Sequence, residues 1–347
     1  MIALRGIALF ACVVAALGEQ QADSLGTAAE QLDAKAPALR AGLALRAARP
    51  WSFTATVGPV ALGTALAFKF EDAFNAPLLL LTLVTTLGVH AAGNLMNTFF
   101  DFSKGLDTPA SSDTTLVNGD LLPDQVAQLI VGSYGIAGAA AAPLCALSRA
   151  PLPLLSAMLA CGAGSAFVYT GGPGLKYRAL GDILISTTFG PLLVAFAFAT
   201  QAGVLDWRPL LAALPITLHI EAILHANNAR DVGEDLAAGV RTLAARLGPS
   251  RSSGLYTALV ALPFAGTLYA ALTHSAFAAL PLLAAPAARK LVTDMNAGRL
   301  TDLPKRTAKM QFVFAALLVV GVLVPSPSLA GLARSAVSAF AGPRPLS

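Results

Sequence analysis

An all-α, polytopic membrane bundle of about nine transmembrane helices is the fold class this sequence predicts, and three observations carry the prediction. Hydrophobic residues make up 56% of the 347 and charged residues only 12%, about half the charge of a typical soluble domain. The apolar residues gather in long runs separated by short polar loops, and about 20 apolar residues suffice to cross a bilayer as a helix. No segment sustains the two-residue alternation that a membrane β-barrel needs.

The elements follow in order. Residues 1–48 read as a lead-in. Its start, "MIALRGIALFACVVAAL", has one early Arg5 and a short apolar run, the pattern of a targeting segment or of one further helix. Residues 19–48 mix Ala with polar residues and read as mobile. Spans are expected at 51–70, 77–100, 122–147, 152–170, 181–203, 209–228, 253–273, 276–293 and 308–325. Pro and Gly inside several of them are tolerated where neighbouring helices re-satisfy the backbone. Residues 49–325 read as one domain, and 326–347, rich in Pro, Ser, Ala and Gly, as a weakly ordered tail. Cys12, Cys145 and Cys161 stand apart in apolar surroundings without metal-ligand spacing, so they are read as structural.

Charge placement supports this span order. The connections after the second, fourth, sixth and eighth spans hold Lys104; Lys176 and Arg178; Arg230, Arg241, Arg246 and Arg251; and Arg289, Lys290, Arg299, Lys305, Arg306 and Lys309. Arg5, Lys35, Arg40, Arg46 and Arg49 precede the first span. The other face keeps only Lys69, Arg149, Arg208, Arg334 and Arg344. By the positive-inside rule, the N-terminus and the basic loops face the cytosol. The net charge of +4 is therefore sorted loop charge and gives no sign of a nucleic-acid partner.

Two polar stretches interrupt the apolar pattern. In "GNLMNTFFDFSKGLDT" (Gly93–Thr108), His90, Asn94, Asn97 and Asp101 follow one another at helical steps of four, three and four. In "EAILHANNARDVGEDLAAGVRTLAARLG" (Glu221–Gly248), Asp231 and Asp235 stand four apart, with Asn228, Asn227, His225 and Glu221 preceding them along the span. Both stretches end a span at the same membrane face. A lone Asp or Asn there would only meet headgroup water, but two such stripes suggest a cavity or pathway. Carboxylate and amide oxygens suit Mg²⁺, which binds one or two carboxylates together with waters and substrate phosphates. Loop cations, among them Arg49, Lys104, Lys176, Arg178, Arg230, Arg241, Lys305 and Arg306, would complement a diphosphate. No Gly-x-x-x-x-Gly-Lys-Ser/Thr loop is present, which leaves a nucleoside triphosphate without support. A diphosphate site that opens into lipid implies a substrate with a lipid tail, such as an isoprenyl diphosphate. Mg²⁺ and cations would neutralise its leaving group.

At these residues the chain resembles a known family. "NLMNTFFDFSKGLDT" and "NNARDVGEDLAAGVRTLAARLG" resemble the two aspartate-rich motifs of the UbiA superfamily of intramembrane prenyltransferases. The resemblance covers about 49–325 and includes "ARPWSFTATVGPVALGTALA", "FVYTGGPGLKYRALGD" and "LPKRTAK". Within the superfamily these stretches are most similar to the animal branch that makes menaquinone-4. The resemblance implies a helical bundle around a central cavity, with the motifs facing the cytosol. It implies Mg²⁺ as cofactor and transfer of a geranylgeranyl group to a quinol derived from menadione. An endoplasmic reticulum or Golgi membrane is implied, with a mitochondrial membrane as the alternative. Carried over by position, Asn97 and Asp101 match the first motif and Asp231 and Asp235 the second, as catalytic and metal-binding residues. Arg230 precedes the second motif as in relatives, and Tyr169, Lys176, Tyr177 and Asp182 match the connecting loop, near diphosphate and acceptor.

The chain also departs from the family pattern. Thr98 and Gly105 stand where the broad family often has Asp, and Asp107 is the substitute ligand. "SDTTLV", with Asp113 and Thr114, lacks an Arg found there in the animal branch, which removes one phosphate contact. Arg49, Lys104, Lys176, Arg230 and Tyr177 are the expected diphosphate contacts. Asn94, Asn228, His225, Glu221, Tyr169 and Asp182 are expected around the acceptor and prenyl cavity. A buried His–Glu pair is the plain alternative for His225 and Glu221, and His90, His219 and His274 show no clear partner. Two other readings stay open: another aromatic acceptor, such as a 4-hydroxybenzoate-like acid or a chlorin, and a non-catalytic prenyl-lipid or sterol sensor or transporter.

Overall fold

A computed structural model describes residues 37–340, and every regular element in them is helical. The targeting segment, Cys12, Arg5 and Lys35 lie outside the described residues. In chain order the helices are α1 (Pro37–Ala47), α2 (Thr54–Glu71), α3 (Ala76–Ser103), α4 (Pro123–Leu147), α5 (Leu152–Thr170), α6 (Gly181–Thr187), α7 (Leu193–Ala202), α8 (Arg208–Arg230), α9 (Val232–Ala237), α10 (Leu243–Thr273), α11 (Ala285–Asn296), α12 (Leu303–Leu323) and α13 (Leu329–Phe340). Short 3-10 turns precede α2 (Pro50–Phe53), α6 (Leu175–Arg178) and α11 (Ala276–Ala284), and a π turn at Thr188–Leu192 joins α6 to α7. Among the described residues, nine segments are long and apolar enough to cross a bilayer, as expected for an integral multi-pass membrane protein.

Local chemistry explains where these helices begin. Pro77, Pro123, Pro153, Pro209 and Pro304 each sit in a first turn, where a missing N–H costs nothing. The Asn75 side chain caps α3 by accepting from the Leu78 N–H at 3.0 Å. The spans Pro50–Glu71, Gly181–Ala202 and Arg208–Arg230 are the most buried and form the inner layer. The spans Pro123–Leu147, Leu152–Thr170 and Ala276–Asn296 are the least buried. Large apolar side chains such as Ile136, Leu152, Ile183, Leu214, Leu262 and Leu283 point outward, as lipid contact allows. Inner helices approach closely through small residues: a Cβ added at Gly63 on α2 would lie 2.4 Å from the Val194 carbonyl oxygen of α7.

Three boundaries differ from the sequence expectation. Helix begins at Leu243, ahead of the expected 253, with Thr242 as its cap, and it kinks at Gly248, whose φ 73 and ψ 168 are not helical and are a conformation glycine permits. Residues 37–47, expected mobile, form α1, and Leu43 and Ala47 pack into the core beside α3 and α4. Residues 329–340, expected as a weakly ordered tail, form α13.

Candidate active site

The two polar stretches occupy the same end of the bundle. On α3, Asp101 is buried and held from three sides: Lys176 Nζ lies 2.6 Å from its Oδ2, Asn97 Nδ2 donates to the same oxygen at 2.7 Å, and Tyr177 OH donates to Oδ1 at 2.8 Å. Lys176 and Tyr177 reach it because the "TGGPG" turn, with Gly172 and Gly174 at positive φ, folds the Leu175–Arg178 turn back over α3. Lys104 Nζ lies 4.0 Å from the centre of the Tyr177 ring and donates to the Thr170 carbonyl at 3.4 Å.

Arg49 closes the first motif from the other side. Its Nη1 donates to Asn97 Oδ1 at 2.8 Å and its Nη2 to Asp113 Oδ2 at 2.7 Å, while Thr98 Oγ1 donates to Asp113 at 2.6 Å. Thr98 therefore has a structural reason: an aspartate there would set a second carboxylate against Asp113. The amide oxygen of Asn97, expected as a metal ligand, accepts from Arg49, and its amide nitrogen orients Asp101. Asn94 Nδ2 donates to the Ala48 carbonyl at 2.8 Å and to Ser52 Oγ at 3.0 Å, tying the α1–α2 junction to α3.

The second motif faces the first. The Arg230 Nε and Nη2 form a fork on Asp231 at 2.7 and 2.8 Å, and Nη2 also reaches Asn227 Oδ1 at 2.8 Å. The same Nη2 donates to Ser112 Oγ at 2.7 Å, linking the second motif to the loop after the first. Asp235 accepts from Thr242 Oγ1 at 3.3 Å and shares the field of Lys176 with Asp101.

The electrostatics fit a cation site. Burial, then the charges of Asp101 and Asp113, push Asp107 up to about 7. Burial, then Asp231 and Asp101, raise Asp235 to about 6 against the pull of Lys176. Burial works against the Lys176 charge, but the Asp101 carboxylate overcomes it and holds the ammonium above its ordinary value. Carboxylates that raise one another in this way, with oxygen as the only donor type, match what Mg²⁺ selects.

Behind this polar end lies an apolar cavity. Asn97 and Asn227 line its polar side; Val89, Met158, Leu159, Ile185, Phe189, Leu192, Leu193 and Phe196 line the rest, with Asn94, His90 and Tyr169 between. From Thr85 to Asn97 its wall follows about 18 Å of α3, at 1.5 Å per residue. Four residues expected on this wall are absent from it. Asp182, Glu221 and His225 turn to one another inside the protein, and Asn228 points into the packing beside Asn227, because neighbouring helix positions face about 100° apart. His90 and His219 do have partners: His90 bridges Ser52 and Thr56, at 3.1 and 2.7 Å, and His219 Nε2 lies 3.1 Å from the Val260 carbonyl. Arg306, expected as a diphosphate cation, is committed to Asp294.

Sequence reasoning missed Ser112, and it noted Asp113 and Asn227 without giving either a role in the site. Asn227 was signalled by its spacing of four from Asp231 within the second motif; Asp113 and Ser112 meet their partners only through tertiary folding.

A helical membrane bundle with a cation-ringed acidic mouth over an apolar cavity defines a class, an intramembrane enzyme. Residues 56–318 match the UbiA prenyltransferase family; the chain belongs to that family and is an intramembrane prenyltransferase. It is 45% identical to UbiA prenyltransferase domain-containing protein 1 of Gallus gallus over 278 residues, covering 80% of this chain and 84% of that one. It is also 45% identical to the Rattus norvegicus protein of that name over 284 residues, covering 82% and 84%. Among solved structures, an apo UbiA homolog from Aeropyrum pernix K1 matches with TM-score 0.59 at 18% identity, covering 77% of this chain and 97% of that one. A UbiA homolog from Archaeoglobus fulgidus bound to GPP and Mg²⁺ matches with TM-score 0.56 at 15% identity, covering 81% and 100%. These two likenesses are of fold.

Proposed function

We propose that the protein transfers a geranylgeranyl group from its diphosphate to a menadiol-type quinol, giving the quinol form of menaquinone-4, which oxygen then oxidises to the quinone outside the site, with Mg²⁺ as the metal. One observation carries the reading: both aspartate motifs and the cations Arg49, Lys104, Lys176 and Arg230 converge on the polar end of a single apolar cavity. The Archaeoglobus fulgidus homolog binds GPP with Mg²⁺ on a similar fold, which supports a prenyl diphosphate here. The choice of geranylgeranyl and menadiol rests on the similarity of "NTFFDFSKGLD", "AILHANNARD" and "LPKRTAK" to the animal branch.

Asp101, Asp107, Asp231 and Asp235 would hold the metal, which when bound neutralises the leaving diphosphate. Asn97 and Tyr177 fix the Asp101 carboxylate, and Lys176, Arg230, Lys104 and Arg49 supply positive charge where the diphosphate charge grows. The apolar wall from Val89 to Phe196 receives the tail and keeps water from the allylic cation left when the carbon–oxygen bond breaks. The quinol carbon then attacks that cation, and its proton leaves as the ring recovers aromaticity.

The test is turnover of labelled geranylgeranyl diphosphate by the purified protein with menadiol and Mg²⁺, the product read by mass spectrometry across a panel of tail lengths and acceptors. Menaquinol-4, detected as menaquinone-4 after oxidation in air, is the expected product. Prenylation of a 4-hydroxybenzoate-like acid in preference to menadiol would overturn the acceptor assignment, and the absence of any prenylated product would overturn the activity.

A further inference from the structure

A second cluster lies outside this machinery. Asp182, next to the start of α6, and Glu221 and His225, one turn apart on α8, each bring a ligand atom to within 4.8 Å of the other two. Their exposures are 5%, 8% and 0%. His225 Nε2 lies 3.0 Å from the Ser252 carbonyl oxygen and 2.8 Å from Ser252 Oγ. A carbonyl only accepts, so Nε2 carries the proton, and in the neutral ring Nδ1 is then a bare lone pair. That Nδ1 has no hydrogen-bond partner, and neither does Asp182 Oδ1 or Glu221 Oε1. The other Glu221 oxygen accepts from Ser186 Oγ at 2.5 Å. Among the described residues, no lysine or arginine forms an ion pair with either carboxylate. Three buried acceptors without a donor are costly to hold together. Positive charge placed among them removes that cost.

We propose that Asp182, Glu221 and His225 bind a first-row transition dication of the Zn²⁺ type, at a site separate from the aspartate motifs. Two carboxylates and a neutral imidazole balance one divalent ion. The imidazole nitrogen favours Zn²⁺ or Fe²⁺ over Mg²⁺, which selects oxygen. The Nε2–H bond to a backbone carbonyl is the arrangement by which ligating histidines are oriented and their other nitrogen presented to a metal. Metal–ligand bonds of about 2.0–2.2 Å place ligand atoms up to about 4 Å apart, so small side-chain rotations close the set. The ion joins α6 to α8 and, through Ser252, to α10. It sits one layer behind the cavity wall: a Cβ added at Gly181, beside Asp182, would lie 2.8 Å from Cε2 of Tyr169, a wall residue. Its function there is to fix the span carrying Asp182 and the connecting loop before it against the second-motif helix. The inference does not rest on the choice of prenyl donor or acceptor.

The experiment uses the full chain purified in detergent, stripped with a chelator and reloaded with Co²⁺ as a spectroscopic probe. About one Co²⁺ per chain is expected to survive gel filtration in the wild type and in Asp235→Asn. Glu221→Gln and His225→Gln are expected to weaken its retention more than about tenfold. X-ray absorption of the wild-type Co²⁺ protein is expected to show one nitrogen and two carboxylate ligands, a readout that stands even where a variant fails to fold. A wild type that retains no ion would mean that a proton shared by Asp182 and Glu221 neutralises the cluster, and would overturn the proposal. Retention unchanged in folded Glu221→Gln and His225→Gln, loss in Asp235→Asn, or an all-oxygen shell would overturn it too.

Discussion

Asp101 is the residue on which the first motif turns, since Lys176, Tyr177 and Asn97 all end on its carboxylate. Replacing it by Asn keeps the shape and removes the charge. Asp101→Asn is therefore expected to lower kcat by about 10²- to 10³-fold, the range seen when one charge-stabilising group is lost, while gel filtration still reports a folded protein. An unchanged kcat would remove Asp101 from the site. The raised acids give a pH dependence. Asp107, lifted from 3.8 to about 7, and Asp235, lifted to about 6, bind protons more tightly in the folded chain than in the unfolded one. Their contribution to stability is thus fully present below pH 3.8 and is lost as pH rises through 6 and 7. Mg²⁺ relieves their repulsion only once they are ionised, so the rise in Tm on adding Mg²⁺ is expected to grow between about pH 5.5 and pH 7.5. Thermal melts at several pH values check this, and a gain that does not vary with pH contradicts it. At this scale the sequence was legible where partners are near in the chain. Asn97 and Asp101 are one helical turn apart, and so are Asp231 and Asp235. Arg49, Asn97 and Asp113 come from separate segments, and no spacing rule brings them together.

Elements were legible wherever hydrophobicity alone defines them. All nine expected spans correspond to helices, because a bilayer leaves the backbone few other ways to satisfy its hydrogen bonds. Their ends were less legible: "LAARL", whose Arg246 read as loop, is helical ahead of the seventh span and is set off from it by the kink at Gly248. How the elements pack depends on small residues that hydropathy does not weigh. At Gly63 an added Cβ would also meet Ala197 Cβ at 2.8 Å, and the nearest obstacle is backbone, which cannot rotate away. Gly63→Ala is expected to destabilise the fold by about 1–3 kcal/mol, the usual cost of overpacking, and to lower Tm in detergent. Gly132 on α4 is exposed with nothing within 4 Å of an added Cβ; Gly132→Ala is expected to leave Tm unchanged or raise it. Equal losses in both would mean that the α2–α7 contact does not set the stability.

At the scale of the whole molecule, the fold puts the acidic mouth and the basic loops at one end, and that end defines an orientation. Lys176, Arg230 and Arg49 complement the aspartates, and they also belong to the excess of positive charge that the positive-inside rule expects on a cytosolic face. The other end carries few cations, and one of them, Arg208, is held by Glu71 at 2.7 Å. A diphosphate substrate is too charged to cross a bilayer unaided, so the mouth has to open to the compartment that contains it. We expect that compartment to be the cytosol. In a background with Cys12, Cys145 and Cys161 replaced by Ser, Ala238→Cys after the second motif and Val204→Cys between the fifth and sixth spans are both exposed probes. A membrane-impermeant maleimide applied to cells with only the plasma membrane permeabilised should label the first directly and the second only after detergent. The reverse pattern would place the mouth in the lumen and break the link between charge placement and substrate supply. Labelling of both before detergent would break the alternation of the spans themselves.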